Sequence, residues 1–186
     1  MISTNDVRPG YALETSDGLC QVIETQHVKP GKGKAFVRMK LRNLKSGAVV
    51  DKTFRAGENV KRATIDRRDM TLLYKDEIGF NFMDAETFEQ LSISEALMAD
   101  AAPYVKDGST IQVAFHNGQP IGVDLPLTVE LEVSYTEPGV KGDRVSGATK
   151  PVTLETGLVV HSPLFIDVGD VLKVDTRSGD YITRVS

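Results

Sequence analysis

The chain contains no tryptophan, one cysteine and three histidines in 186 residues. The single cysteine, Cys20, cannot close an intramolecular disulfide, so a soluble protein of a reducing compartment, the cytoplasm, is the expectation. It falls in a predicted strand and reads as a small core residue rather than a nucleophile. His27, His116 and His161 stand far apart, with no Cys or second His at ligand spacing, so no metal site is expected. No apolar run reaches 18 residues, which excludes a transmembrane helix by length. Residues 1–6 have neither the basic start nor the apolar stretch of a secretory leader. The phosphate loop of nucleotide-binding enzymes is missing too, because Gly33-Lys34 is followed by Ala35 and not by Ser or Thr. A dinucleotide-type Gly-x-Gly-x-x-Gly fails at Phe36, where its third Gly belongs, and no Gly-x-Ser-x-Gly elbow occurs. No catalytic residue and no cofactor is therefore expected.

What the chain does have is charge of one sign in one place. The formal net charge is −4 and the pI about 5.4, which read alone argues against a nucleic-acid partner. Between Thr25 and Arg68, however, 13 Lys/Arg stand against 3 Asp/Glu, a net of +10, and residues 25–50 hold no acidic residue. Residues 69–126 carry two lysines against ten carboxylates, and 128–186 six basic residues against nine acidic. A basic first third on an acidic body points to a polyanion partner at one end only. The plainer reading is a solvated strand face. An acidic middle is expected to avoid RNA backbone and to face solvent or a basic protein.

Almost everything reads as short strands bounded by turn residues. In the first third, strands are predicted at 10–14, 19–24, 35–41, 49–54 and 60–65. Ala35, Val37, Met39 and Leu41 alternate with Phe36, Arg38, Lys40 and Arg42, which is a half-buried strand with a basic row on its solvent side. Phe36 is the one aromatic interleaved with that row, and the other Phe and Tyr are expected in the core. Further strands are predicted at 70–74, 80–83, 110–115, 121–125, 128–135, 152–155, 159–161, 165–168, 171–175 and 181–185. Residues 84–90 read as a short helical turn. Ser92 and Glu95 have capping-box spacing before an Ala-rich helix at 96–102 that stops before Pro103. The organisation expected is three small units, 1–64, 65–127 and 128–186.

The most unusual stretch is Val28-Lys29-Pro30-Gly31-Lys32-Gly33-Lys34, between two predicted strands. Gly31 and Gly33 permit positive φ and remove bulk on both sides of Lys32, so Lys32 should project from a hairpin tip. About eight strand residues at roughly 3.3 Å each carry that tip about 25 Å outward. The bland reading is a surface turn, but Pro30 stiffens the approach and the three lysines have no carboxylate among them.

Over essentially its whole length the chain resembles bacterial elongation factor P. The motifs are Lys29-Pro30-Gly31-Lys32-Gly33-Lys34-Ala35-Phe36, Thr53-Phe54-Arg55-Ala56-Gly57-Glu58, Thr136-Glu137-Pro138-Gly139-Val140-Lys141-Gly142-Asp143, Lys150-Pro151-Val152-Thr153-Leu154-Glu155-Thr156-Gly157 and Val174-Asp175-Thr176-Arg177-Ser178-Gly179-Asp180-Tyr181. The resemblance implies an all-β fold of three small barrels in an L-shaped, tRNA-like arrangement: an N-terminal SH3/KOW-like barrel, then two OB-fold barrels. It implies a non-enzymatic, monomeric factor that binds both ribosomal subunits between the peptidyl and exit sites. There it would promote peptide bonds at consecutive prolines by holding the acceptor end of peptidyl-tRNA. Lys32 aligns with the lysine that many members modify, so a lysine-modifying enzyme is an implied partner. Arg38, Lys40 and Arg42 would meet tRNA or rRNA phosphates. The third-unit loop Gly142-Asp143-Arg144 would lie near the exit-site codon. Many members read Gly-Asp-Thr there, and an arginine is suited instead to phosphate pairing or base stacking. The alternatives are a general RNA-binding OB-fold protein, a diverged paralogue with another client, and a small β-rich enzyme.

Overall fold

The computed structural model describes residues 1–139 and 147–186. The chain is built from three curled sheets, each made of strands consecutive in sequence. The first contains β1 (Ile2–Ser3), β2 (Ala12–Thr15), β3 (Gly18–Val28), β4 (Phe36–Asn43), β5 (Val49–Arg55) and β6 (Asn59–Ala63), in the order β1-β6-β2-β3-β4-β5. The alternation read in the sequence is realised in β4. Val37, Met39 and Leu41 are wholly buried against Leu13, Cys20 and Val22, while Arg38, Lys40 and Arg42 are exposed. Full burial of each such aliphatic side chain stabilises the barrel by about 1.5–3 kcal/mol.

The second sheet contains β7 (Asp66–Lys75), β8 (Phe80–Asp84), β9 (Gln90–Ile93), β10 (Thr110–His116) and β11 (Gln119–Asp124), in the order β11-β10-β7-β8-β9. The third contains β12 (Thr128–Thr136), β13 (Thr149–Leu154), β14 (Val159–Pro163), β15 (Val171–Asp175) and β16 (Tyr181–Arg184), in the order β14-β13-β12-β15-β16. Its core is Leu131, Val133, Val152, Leu154, Val160, Ile166, Leu172 and Val174. By compactness the chain divides into two units. One is Met1–Arg67 with Ala114–Gly122, and the other is Arg68–Val113 with Val123–Ser186.

Four local expectations are corrected. The helix shrinks to α1 (Glu95–Met98), followed by a 3-10 turn at Ala102–Tyr104 that contains Pro103. Proline is accepted there because the first turn of a helix has no carbonyl to offer its missing N–H. The cap is Ser94, whose hydroxyl accepts from the Leu97 N–H at 3.3 Å, because Ser92 lies in β9 opposite Asn81. Residues 165–168 are not a strand. Pro163 and Gly169 punctuate the segment, only Ile166 is buried, and the Ile166 N–H closes back on the Pro163 carbonyl. Tyr74, Phe88, Tyr135 and Phe165 are exposed rather than core. The helical turn read at 84–90 is one closed turn, in which the Phe88 N–H donates to the Asp84 carbonyl at 2.9 Å. Strand β9, absent from the sequence reading, follows it directly.

Candidate nucleic-acid interface

Strands β3 and β4 form a long hairpin, and residues 29–35 close it. Lys29, Gly31, Lys32, Gly33 and Lys34 are exposed. Gly33 has φ +112°, a conformation that side-chain-bearing residues avoid. Gly31 is not among the positive-φ glycines, and a Cβ added to it would meet nothing within 4 Å. The turn therefore requires Gly33 but not Gly31. Lys29, Lys32 and Lys34 have no hydrogen-bond or ion-pair partner among the described residues. Three unneutralised ammonium groups on one turn repel one another and raise the local positive potential.

Below the tip the register puts the solvent-facing side chains into rows across β3, β4 and β5. Val28, Phe36 and Arg55 share the row next to the tip. Next come Gln26, Arg38 and Thr53, then Glu24, Lys40 and Asp51, then Gln21, Arg42 and Val49. The basic row is thus electrostatically uneven. Lys40 stands between two carboxylates, with its ammonium 3.9 Å from Glu24. Arg38 and Arg42 have no acidic neighbour in their rows.

Arg55 is the functional candidate that the sequence reading left out. Its backbone N–H donates to the Glu58 carboxylate at 3.0 Å and its carbonyl accepts from the Thr4 hydroxyl at 2.8 Å. The strand end is fixed, and the guanidinium has no counter-ion among the described residues. The signal was legible: Arg55 follows Val49, Asp51 and Thr53 at period two, in phase with the outward face.

Other cations of this unit are committed to internal contacts. Lys52 pairs with Asp17, Lys61 pairs with Glu14 at 2.8 Å, and the Arg62 guanidinium lies 3.8 Å from the centre of the Tyr11 ring. His116 Nε2 is 3.2 Å from the second Glu14 oxygen. The Lys61 hydrogen bond, helped by the charges of Lys61 and His116, holds the Glu14 carboxyl below its ordinary range. Lys29, Lys32 and Lys34 at the tip, and Arg38 and Arg55 in the rows below it, make no ion pair among the described residues, and neither does Arg42 further from the tip.

Three family matches run along the chain. Residues 3–60 match the Elongation factor P KOW-like domain, 65–123 the Elongation factor P OB domain, and 129–184 the Elongation factor P C-terminal domain. An elongation factor P from Pelotomaculum thermopropionicum is 57% identical over 185 residues, covering 100% of both chains. Another, from Mycobacterium tuberculosis strain H37Rv, is 55% identical over 186 residues with the same coverage. The chain belongs to the bacterial elongation factor P family.

Among solved structures, the eukaryotic translation initiation factor 5A from Methanococcus jannaschii matches with a TM-score of 0.55 at 18% identity. The match covers 66% of this chain and 92% of that one. At that identity it supports the fold alone. As a member of the elongation factor P family the chain is a translation elongation factor.

The remaining expected site residues of an elongation factor P, Gly142, Asp143 and Arg144, lie outside the described residues. Next to that segment, the Lys150 ammonium is buried and donates to the Glu137 carbonyl at 2.9 Å. Among the described residues, no cluster of His, Cys, Asp and Glu could hold a metal ion, and no helix is long and apolar enough to cross a membrane. Cys20 is buried.

Proposed function

We propose that this factor binds the ribosome between the peptidyl and exit sites and promotes peptide bond formation at consecutive prolines. In this reading Lys32 reaches the acceptor end of peptidyl-tRNA and holds it by charge. Proline is a poor donor and acceptor because its ring misplaces the reacting atoms. Fixing one reactant lowers the entropic part of the barrier without acid–base chemistry from the factor. The ribosome remains the catalyst, and Lys32 is a positioning residue. Arg38, Arg42 and Arg55 contact phosphates beneath the tip. Lys40 contributes less, since Glu24 and Asp51 already offset its charge.

The observation that carries this reading is the unpaired lysine cluster at the end of the β3–β4 hairpin, in a chain of the elongation factor P family. Family likeness supports the rest. It comprises three domains at 1–64, 65–127 and 128–186, a cytoplasmic monomer, a modifying enzyme acting on Lys32, and Gly142, Asp143 and Arg144 near the exit-site codon. A reconstituted translation assay on a polyproline template tests it. The parent chain should relieve the stall and Lys32→Ala should not. Equal relief by both would remove Lys32 from the mechanism.

A further inference from the structure

The turn between β8 and β9 holds a side chain that the fold does not need. Phe88 has φ +61°, a left-handed conformation that Phe adopts rarely, and 67% of its surface is exposed. A large apolar ring gains little burial there and carries the backbone strain as well. Asparagine would fill this backbone position at less cost. The turn is nonetheless held firmly. The Asp84 carboxylate accepts from the Glu86 N–H at 2.8 Å and the Thr87 N–H at 3.1 Å, and the Asp84 N–H donates to the Glu89 carbonyl at 2.8 Å. The ring is thus presented from an ordered loop, between the exposed carboxylates of Glu86 and Glu89.

We infer that Phe88 is an anchor for a basic protein surface of the ribosome, its ring entering an apolar pocket rimmed by lysine or arginine. The rim chemistry selects the partner class. Glu86 and Glu89 flank the ring, in a segment (66–126) with four basic residues against eleven acidic, and Arg68, in the strand beside the turn, lies 3.9 Å from the Asp84 carboxylate and is partly offset by it. That field repels phosphate backbone and attracts cationic protein. Exposed aromatics entering a pocket dominate interface energetics, and a charged rim steers their approach. This rests on the ribosomal function proposed above, and it adds a second contact of opposite electrostatic sign to the lysine tip.

The test uses the full chain and purified 70S ribosomes. Phe88→Asn should keep or raise the melting temperature, because the turn is relieved, and should weaken ribosome binding on the order of tenfold. A photoreactive benzoylphenylalanine at position 88 should cross-link to a ribosomal protein with a basic surface, identified by mass spectrometry. Parent-like affinity of Phe88→Asn overturns the inference. So does loss of folding in Phe88→Asn, which would make the ring structural, and so does a cross-link to ribosomal RNA alone. Failure of the parent chain itself to bind ribosomes overturns the ribosomal function as well.

Discussion

The tip at 29–35 and the turn at 85–89 are both exposed hairpin ends with one left-handed residue, and they solve that geometry in opposite ways. At the tip the residue is Gly33, so the backbone is unstrained. No described residue pairs with the tip lysines. At 85–89 the residue is Phe88, and hydrogen bonds to Asp84 hold the strained loop in place. The first end presents uncompensated positive charge, and the second an apolar ring between carboxylates. Exposure alone says little about partners. The sign of the surrounding charge, and whether the fold bears strain to display a side chain, are what distinguish the two ends.

The largest expected effect comes from removing what the tip displays. Lys32→Ala should reduce polyproline rescue at least tenfold while the melting temperature stays at the parent value, read by translation assay and calorimetry. A fall in both would mean that the lysine supports the fold. A smaller effect separates two cations of one hairpin. Arg55→Ala should weaken ribosome binding severalfold and lower the salt slope by about one phosphate contact. Lys40→Ala should change either quantity far less. Glu24→Gln should then strengthen binding by freeing Lys40, and if it does not, the uneven basic row has no consequence for binding.

The glycines give a subtler contrast. Gly33→Ala places a Cβ residue at positive φ, at about 1–2 kcal/mol, and should displace the tip and lower rescue a few-fold. Gly31→Ala meets open space and should cost less in the same assay. The reverse order would show that a partner, not the backbone, dictates both glycines.

Acid should produce the smallest change, and it is read most locally at two turns anchored by a carboxylate. Backbone N–H groups of Glu86 and Thr87 lower the Asp84 pKa, and the Asn81 side chain, with the Gly79 N–H, lowers that of Asp76. A lowered folded pKa means stabilisation that is present above the unfolded value, about 3.8, and lost as pH falls through the folded value. Amide exchange at 76–79 and 84–89 should therefore accelerate below about pH 3.8, while exchange in the carboxylate-free tip keeps its ordinary pH dependence. Uniform loss of protection along the chain would remove these two carboxylates as the cause.

Much of this was legible beforehand. The strict alternation at 35–42 placed Val37, Met39 and Leu41 inside and the basic row outside, because a strand has period two whatever it packs against. Pro30, Gly31 and Gly33 marked the tip by their backbone preferences. Ser92 and Ser94 shared the capping chemistry, but choosing between them required β9, whose pairing with β8 is a tertiary fact. Residues 165–168 are apolar enough for a strand, and only the closure onto Pro163 made them a turn.

The sign and place of the charge, the hairpin that carries Lys32 and, through the motifs, the family are written in the residues themselves. These follow from local periodicity and residue type. Which cations are offset depends on tertiary structure, since strand register sets Glu24 and Asp51 in the row of Lys40 but puts no carboxylate in the rows of Arg38, Arg42 and Arg55. The same holds for Phe88. A phenylalanine in sequence reads as core, and only the closed turn around Asp84 turns it toward solvent.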